Sequence, residues 1–479
     1  MERHILSKST FIRGVQCLKS LYFYKKRYFL RDPLSAEQQA IFARGTNVGV
    51  LARRRFPGGK DATPPSPSQY SRSVSMTSEW ITMGVEVIYE AAFQYNKVFI
   101  AIDILISTPE GWVGIEVKSS RTISETYILD AALQYHVITG SGLTLADIRI
   151  MYINDEYIRE GELKLTELFN VQSVLEKVLE KQDFVREQIL REKEVIEMPH
   201  SPDIAIGLHC HNPYTCDFIG HCRKSYSSPT VFELDAFSNE EQQIFFNQGF
   251  HSLEELANEP GLNNDQQNQI NSHLTGEIFL DKNALSQFIN FPDEPFAFLK
   301  VLYFRAAVPL FDGTMPYEYL PFAFAILSSE TGTPEFFIIH PGTYPLNELT
   351  EQLSAKISKF RKIILMDQTT EVIAFLKKMS ISPEVLDMLE PFSKRIIYHP
   401  GIADGMSFDQ VCGANEHVVN SKRLSIQSDT MAGVRYLALS HALEGEAYSQ
   451  EMDQISQYAI LKVKEVAFIF NWLKINANN

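Results

Sequence analysis

Two acids and a lysine stand out in the apolar stretch between residues 87 and 135. Asp103 lies in the segment FIAIDILI, and Glu116 and Lys118 lie in VGIEVKSS, so both acids are surrounded by apolar, strand-forming residues. Side chains alternate along a strand, which points Glu116 and Lys118 to the same face. Two carboxylates can hold a hard divalent cation, and a lysine can offset charge on a phosphate or orient a water. This combination is suited to metal-assisted hydrolysis of a phosphodiester.

The neighbouring sequence predicts the elements that would position these side chains. TPEG, between the two apolar segments, is a turn signal, so the segments can pair as a hairpin and bring Asp103 beside Glu116. Glu90 lies on the strand before the hairpin, and Gln134 and Tyr135 lie on the helix after it. A purely structural ion pair between the lysine and one of the acids is the alternative explanation.

Length and composition indicate a folded chain of two or three domains. Of the 479 residues, 45% are hydrophobic and 22% are charged, which is typical of folded rather than disordered proteins. No apolar run reaches membrane-spanning length, and the first residues lack the apolar core of a signal peptide. We therefore expect a cytoplasmic protein without a membrane partner.

The charge is distributed unevenly along the chain. The net charge is −15, yet residues 1–60 hold 13 lysines and arginines against 3 acids. Aromatic residues lie among these basic ones, a mixture that can stack on bases and attract phosphates. A solvated basic helix face over an aromatic core is the alternative. The residues concerned are Tyr22, Tyr24, Lys25, Lys26, Arg27, Tyr28, Phe29, Arg31, Arg53, Arg54 and Arg55.

The cysteines form a second candidate site. Three of the five, Cys210, Cys216 and Cys222, crowd into CHNPYTCDFIGHC, and an odd total argues against a disulfide framework. The gaps of five residues differ from those of common zinc sites and simple ferredoxins. We favour a [4Fe–4S] cluster with Cys17 as a remote fourth ligand, which would clamp residues 1–20 to residues 205–225. The alternatives are a zinc site using His209, His211 or His221, or buried free thiols; Cys412 is expected to be a core thiol.

The periodicity of the chain predicts α/β architecture in both halves. Ser7 or Ser9 is expected to cap a helix near Thr10, and a second helix is expected over residues 36–56. Further predictions are strands within 78–106, a helix over 125–142, a strand over 148–155, helices over 163–198 and a mostly helical linker over 226–292. The second half predicts strands over 297–310, 319–329 and 334–342, a helix over 347–360, a strand over 362–367, and helices from there to the end.

Residues 1–225 resemble the RecB-type branch of the PD-(D/E)xK nuclease superfamily, which includes iron–sulfur exonucleases of CRISPR adaptation and of bacterial recombination. The resemblance rests on an ordered set of segments: SKSTFIRGVQCLKSLYFYKK, ARGTNVGVLARRRFPGG, IYEAAF, AIDILI, GIEVKSS, DAALQY, INDEYIREGELKLTELF and CHNPYTCDFIGHC. It implies a restriction-endonuclease-like core that cleaves DNA with Mg²⁺ or Mn²⁺.

The resemblance also implies a role for each residue. Asp103 and Glu116 would be metal ligands, Lys118 the catalytic lysine, and Glu90 an assisting metal ligand. Gln134 and Tyr135 would act near the DNA, and Cys17, Cys210, Cys216 and Cys222 would hold the [4Fe–4S] cluster. The chain departs from these relatives twice. It has no histidine near Val48–Gly49, where relatives often place a metal ligand, and adjacent Gln134–Tyr135 replaces the usual Q-x-x-x-Y.

The second half, residues 293–479, is similar to the second domain of an uncharacterised bacterial family that fuses such a nuclease to a ribonuclease-H-like, DEDD-type exonuclease fold. The matching pieces are PLFDGTMPYEYLPFAFAI and IIYHPGIADGMSFDQV. The expected motif L-D-F-E-T reads Leu302-Tyr303-Phe304-Arg305-Ala306, and Y-C-x-x-D-T reads Tyr458-Ala459-Ile460-Leu461-Lys462-Val463. Asp367 and Glu371 remain near the middle motif. Positive charges at metal-ligand positions would repel cations, so we expect this domain to be catalytically inactive.

These observations predict a metal-dependent nuclease acting on single-stranded DNA or DNA ends, with a possible protein partner on the inactive domain. The alternative is a non-catalytic nucleic-acid-binding or scaffold subunit of a repair or defence complex.

Overall fold

The computed structural model divides the chain into two compact units. It describes residues 4–33, 48–64, 66, 69–226, 229–290, 294–341, 346–367, 369–402, 411–412, 424–439 and 445–478. Unit 1 comprises Met1–Lys224 and Ala306–Glu318, and unit 2 comprises Ser225–Arg305 and Tyr319–Asn479. The segment predicted as a separate linker, 226–292, therefore groups with unit 2, and a short later segment groups with unit 1.

Unit 1 is a twisted mixed sheet flanked by helices. Seven of its described strands form one sheet, in the order β2-β3-β4-β5-β6-β7, with β1 pairing in parallel on β4. The strands are β1 Leu6–Ser7, β2 Lys60–Asp61, β3 Val87–Tyr95, β4 Val98–Thr108, β5 Gly111–Lys118, β6 Leu145–Ile153 and β7 Phe169–Ser173. The helices are α1 Lys8–Gln16, α2 Leu18–Lys26, α3 Tyr70–Thr82, α4 Glu125–Gly140, α5 Leu165–Leu168, α6 Leu175–Glu180, α7 Gln182–Glu197 and α8 Ile219–Arg223.

Local chemistry explains how β3, β4, β5 and α4 are arranged. Asn96 and Lys97 both have positive φ angles, 46° and 60°, the conformation of a two-residue hairpin turn between β3 and β4. The strands β3, β4 and β5 are antiparallel neighbours, whereas β6 runs parallel to β5. A parallel neighbour requires a crossover, which α4 supplies. Ser124 caps α4 by accepting a hydrogen bond from the backbone N–H of Tyr127.

Each face of this sheet carries a hydrophobic cluster. Ile88, Ile102 and Leu133 belong to the cluster on the side of α4, and all three are fully buried. Val113 and Ile115 of β5 belong to the cluster on the other side. Because side chains alternate, Glu116 points to the α4 side of the sheet. The core thus fixes the register that places the candidate site beneath α4.

Unit 2 contains a five-stranded sheet, with strand order β11-β10-β9-β12-β13. The first three strands are antiparallel neighbours, and β12 pairs in parallel with both β9 and β13. The strands of this unit are β8 Phe279–Leu280, β9 Phe296–Phe304, β10 Leu320–Ser328, β11 Pro334–Ile338, β12 Lys362–Leu365, β13 Glu384–Asp387 and β14 Ile397–Tyr398. The helices are α9 Asn239–Asn247, α10 Leu253–Leu256, α11 Asn264–Thr275, α12 Lys282–Phe288, α13 Leu346–Ile357, α14 Thr369–Lys378, α15 Glu390–Ser393, α16 Asp429–Leu439 and α17 Glu446–Asn478.

Aromatic packing holds α16 against the sheet of unit 2. Tyr436 of α16 stacks on Phe322 of β10, with ring centroids 4.2 Å apart. All nine residues of β10 are buried, as expected for a central strand covered on both faces. Within the described part of the chain, no helix combines the length and the apolar character needed to cross a bilayer.

Most predicted elements are found, and the exceptions have physical causes. Residues 78–82 end helix α3, although they were included in a predicted strand segment. Residues 169–173 form β7 within a segment predicted to be helical, because the alternating F-N-V-Q-S pattern pairs with the exposed edge of β6. Strands β13 and β14 interrupt the final segment that was predicted to be helical. The predicted second helix is helical over 48–53, and its part over 36–47 lies outside the described residues, as do residues 403–410 of the second matching piece.

Candidate active site and cysteine group

Three acids lie across three neighbouring strands. The pairs Tyr89–Ile104 and Ala91–Ile102 flank Glu90 and Asp103, which places these two acids opposite each other on β3 and β4. On the other side of β4, the backbone N–H of Val117 donates to Asp103 Oδ2 at 2.6 Å, one residue beyond Glu116. The predicted hairpin therefore does bring Asp103 beside Glu116.

Glu90 occupies an unusual backbone conformation. Its φ angle is 50°, which a residue with a side chain adopts only when its surroundings compensate, and such residues are concentrated at functional sites. Arg53 holds the side chain of Glu90, since its guanidinium donates to Glu90 Oε1 at 2.6 Å and to Asp61 Oδ2 at 2.7 Å.

Glu116 is the centre of the site and is almost completely buried. Its Oε1 accepts hydrogen bonds from Lys8 Nζ and Lys118 Nζ, both at 2.7 Å, and its Oε2 accepts from Gln134 Nε2 at 2.9 Å. A buried carboxylate without such partners would cost several kcal/mol, on the order of its desolvation penalty. Three donors from three different elements therefore stabilise its charged form.

Helix α4 presents one face to Lys118. Lys118 Nζ donates to Asp130 Oδ2 at 2.6 Å and lies 5.0 Å from the ring centroid of Tyr127. Tyr127, Asp130 and Gln134 are spaced i, i+3 and i+7, so they share one helix face. Tyr135 lies one residue further along and is packed, partly buried, against the apolar cluster on the α4 side. The structure thus brings Gln134 into the site with Glu116, whereas Tyr135 contacts the core.

Burial and charge together shift the pKa values of the site. Burial, and next the charge of Glu116, raise the pKa of Asp103 above its usual range. Burial would also raise the pKa of Glu116, but Lys118 and Lys8 outweigh it and hold that pKa well below its usual range. Burial would lower the pKa of Lys118, yet Glu116 and Asp130 raise it. The two lysines therefore stabilise the negative charge of Glu116, whereas burial and the nearby Glu116 disfavour a negative charge on Asp103.

The residues present fit a hard divalent cation. Asp130 Oδ1 and Gln134 Oε1 are buried oxygens without a hydrogen-bond partner among the described residues. These oxygens, like the carboxylates of Asp103 and Glu116, are donors of the kind that Mg²⁺ and Mn²⁺ prefer. As the side chains stand, no three His, Cys, Asp or Glu residues of the described chain converge at the spacing of metal ligands. In this arrangement two ammonium groups occupy Glu116 Oε1.

The four cysteines predicted to act together do lie near one another. The charges of Cys17 and Cys216 both raise the pKa of Cys210, after burial, which is the largest cause. Burial, and then the same neighbouring thiols, raise the pKa of Cys222 to about 11 despite the opposing charge of Lys19. Cys412 is also buried, and it belongs to unit 2.

Hydrogen bonds hold the N-terminal helices against the cysteine segment. Arg13 and Arg31 both pair with Asp217, and Gln16 Nε2 donates to the carbonyl oxygens of His209 at 2.9 Å and Tyr214 at 2.6 Å. These contacts join residues 13–31 to residues 209–217.

The four thiols of the cysteine group are candidate ligands for a metal or a cluster. Thiols that raise each other's pKa mark a place where an electropositive centre would be stabilising. Within the described residues, no three of these thiols converge closely enough to hold a single metal ion. Among the three histidines of the zinc alternative, His209 is the one whose ring contacts a described cysteine, with Nε2 3.7 Å from Cys210 Sγ.

Sequence reasoning missed three residues of the site. Asp130 lies four residues before Gln134, a helical spacing that could have indicated it. Lys8 follows Ser7 directly, so the predicted cap could have placed it at the start of α1. Arg53 offered no signal, because its contact with Glu90 depends on tertiary packing.

No protein-family model matches the chain. No curated protein is significantly similar to it either.

Proposed function

We propose that unit 1 is a metal-dependent nuclease of the PD-(D/E)xK type, acting on single-stranded DNA or DNA ends. The observation that carries the proposal is the line of Glu90, Asp103 and Glu116 across three adjacent strands, with Lys118 on the same face as Glu116. The order helix α3, three antiparallel strands, helix α4 and a parallel strand supports a restriction-endonuclease-like core.

The residues of the site would have distinct roles in phosphodiester hydrolysis. A divalent cation bound by Asp103 and Glu116, with help from Glu90, would supply Lewis-acid activation of the phosphate. Lys118 is a positive charge held between Glu116 and Asp130, positioned to offset charge on the attacked phosphate or to orient the water. Gln134 fixes the orientation of Glu116 through its amide.

Cleavage of single-stranded DNA with Mn²⁺ tests the proposal. Lys118→Ala should lower the rate by about 100-fold or more, because it removes the charge beside the metal ligands. Lys177→Ala, an exposed lysine on α6, is the matched control and should retain the rate. Absence of cleavage of every DNA and RNA substrate with Mg²⁺ or Mn²⁺ would reject the nuclease.

We further infer that the cysteine group of unit 1 holds a [4Fe–4S] cluster. Anaerobically purified protein should show a broad absorption band near ~400 nm. Cys17→Ser should weaken or abolish this band, whereas Cys412→Ser, the matched buried thiol outside the group, should leave it unchanged. Colourless protein containing zinc would support the zinc alternative instead.

Unit 2 is proposed to be a ribonuclease-H-like domain without activity. Its strand order, with three antiparallel strands followed by two parallel ones, supports that fold. Buried ion pairs lie near the degenerate motifs: Lys300 Nζ contacts Asp429 Oδ2 at 2.6 Å, and Lys462 Nζ contacts Glu465 Oε2 at 3.1 Å. These lysines neutralise the acids that a cation would need. The domain would then serve binding or assembly, with a protein partner.

A non-catalytic nucleic-acid-binding or scaffold subunit is the second candidate. It is favoured by the engagement of Glu116 with two lysines and a glutamine, which leaves the carboxylate satisfied without a metal. Salt-dependent DNA binding that needs no metal and is unchanged by Glu116→Ala would support it.

A further inference from the structure

The residues before Lys8 are paired with the sheet that carries the candidate site. The backbone of Leu6 and Ser7 pairs with Val98 and Phe99 of β4, the strand that carries Asp103. Ser7 then caps α1, with its backbone N–H donating to Thr10 Oγ1 at 2.8 Å, so that Lys8 is the first residue of the helix. The position of Lys8 is therefore fixed by the same sheet that positions the acids.

The two lysines on Glu116 are not equivalent. Lys118 Nζ has a second acidic partner in Asp130 at 2.6 Å, whereas Glu116 is the only hydrogen-bond partner of Lys8 Nζ within the described chain. The side chain of Lys8 is 30% exposed, compared with 16% for Lys118. Lys8 can thus leave Glu116 at lower cost, and it can leave toward solvent.

A metal bound by Glu116 needs the lone pairs that these lysines occupy. A carboxylate oxygen accepts about two hydrogen bonds, and Oε1 already accepts two from ammonium groups. Binding a divalent cation at this oxygen therefore requires one lysine to move. The released ammonium group would then lie beside a cation that repels it, and a phosphate of an incoming strand would stabilise it.

We propose that Lys8 is a metal-exchanging lysine, which neutralises Glu116 in the metal-free protein and contacts a phosphate of the nucleic acid once the metal has replaced it. This inference rests on the proposed nuclease function and adds a substrate-binding residue to it. Lys8 thereby couples two events, because occupation of the metal site makes a cation available to the strand. Its role at the phosphate is substrate binding, while Lys118 stays between Glu116 and Asp130.

Calorimetric titration of the substrate-free protein with Mn²⁺ tests the exchange. Lys8→Met should bind Mn²⁺ about fivefold more tightly than wild type, because no ammonium group competes for Glu116. Lys8→Arg keeps the charge and can form a bidentate pair, so its Mn²⁺ affinity should not exceed that of wild type. Lys177→Met removes one charge from the exposed face of α6 and should bind Mn²⁺ as wild type does. Thermal melting of each variant checks that it is folded.

Binding of a phosphorothioate-linked single-stranded oligonucleotide, which resists hydrolysis, tests the phosphate contact. With Mn²⁺ present, Lys8→Met should bind more weakly, and the slope of log K against log salt should fall by about 0.7, the value for one phosphate contact. An unchanged slope would overturn the phosphate contact. Equal Mn²⁺ affinity in wild type and Lys8→Met would overturn the exchange while leaving the nuclease proposal intact. Absence of Mn²⁺ binding to wild type would instead overturn the metal site itself, and with it both proposals.

Discussion

At the scale of single residues, the candidate site is a balance of buried charges. Glu116 is nearly inaccessible, and it is tolerated because Lys8, Lys118 and Gln134 all donate to it. Asp130 also accepts a hydrogen bond from Lys118, so the ammonium group of Lys118 lies between two carboxylates. Each charged side chain is therefore held in place by a hydrogen-bonded partner. Replacing one partner should displace the remaining charged side chains more than it destabilises the fold.

Asp130→Asn should impair catalysis by leaving Lys118 less firmly positioned. We expect kcat to fall by about tenfold with a smaller change in KM, as found for partners that orient residues at a metal site. Steady-state cleavage with Mn²⁺ measures both constants. Glu125→Gln, an exposed acid on the same helix, is the control and should behave as wild type. Unchanged kcat in Asp130→Asn would show that Asp130 does not position the lysine.

At the scale of elements, helix α1, which begins at Lys8, approaches helix α7 closely at Gly14. A Cβ atom at Gly14 would overlap the carboxyl group of Glu192, so that side chain would have to shift. Glu192 is fully buried, accepts from Gln188 Nε2 at 3.0 Å, and has a second oxygen without a partner among the described residues. Burial raises its pKa to about 9, against the smaller opposing effects of Gln188 and Lys25.

This buried acid predicts a pH dependence of stability. Because the pKa of Glu192 is raised on folding, the folded protein binds more protons than the unfolded chain between the ordinary pKa near 4.5 and about 9. Stability from this group is present below that window and is lost as pH rises through it, by at most about 1.4 kcal/mol per pH unit. Glu192→Gln should therefore raise the melting temperature more at pH 8.5 than at pH 6.

The matched control for this prediction is Glu194→Gln, an exposed acid on the same helix. It should leave the difference in melting temperature between the two pH values as in wild type. If Glu192→Gln also leaves that difference unchanged, Glu192 is charged in the folded protein and the account of its burial is wrong.

At the scale of the whole molecule, both units bury paired charges. Unit 1 buries Lys118 beside Glu116 and Asp130, and unit 2 buries ion pairs such as Lys300–Asp429. Tyr458 completes this pair by donating to Asp429 Oδ1 at 2.9 Å. A buried ion pair of this kind stabilises a domain only modestly, but replacing one of its two partners is strongly destabilising.

Substitution in both units tests which of them cleaves. Lys118→Ala should abolish Mn²⁺-dependent cleavage, whereas Asp367→Ala in unit 2 should retain the wild-type rate, because Asp367 and Glu371 alone cannot bind two metals. Cleavage assays on the full chain provide the measurement. Loss of activity in Asp367→Ala together with retention in Lys118→Ala would reverse the assignment.

The sequence by itself determined the local elements and the identity of most site residues. Alternation of apolar residues fixed β3, β4 and β5, and the turn between Asp103 and Glu116 fixed their proximity, since both depend on short-range geometry. Helical spacing likewise determined that Gln134 follows the strands on a helix. The cap was also local: Ser7, one of the two serines expected, is the N-cap residue, and the helix begins at Lys8 rather than near Thr10.

Tertiary structure alone decided which distant groups share the site. Lys8 meets Glu116 across 108 residues of sequence, and Arg53 meets Glu90 across 37, and neither contact follows from spacing. Strand β7 forms because β6 offers an unpaired edge, which overrides the helical pattern of its flanks. Burial is also a property of the folded chain. Burial shifts the pKa values of the site and makes three hydrogen-bond donors to Glu116 necessary, because a charge is less stable where packing excludes water.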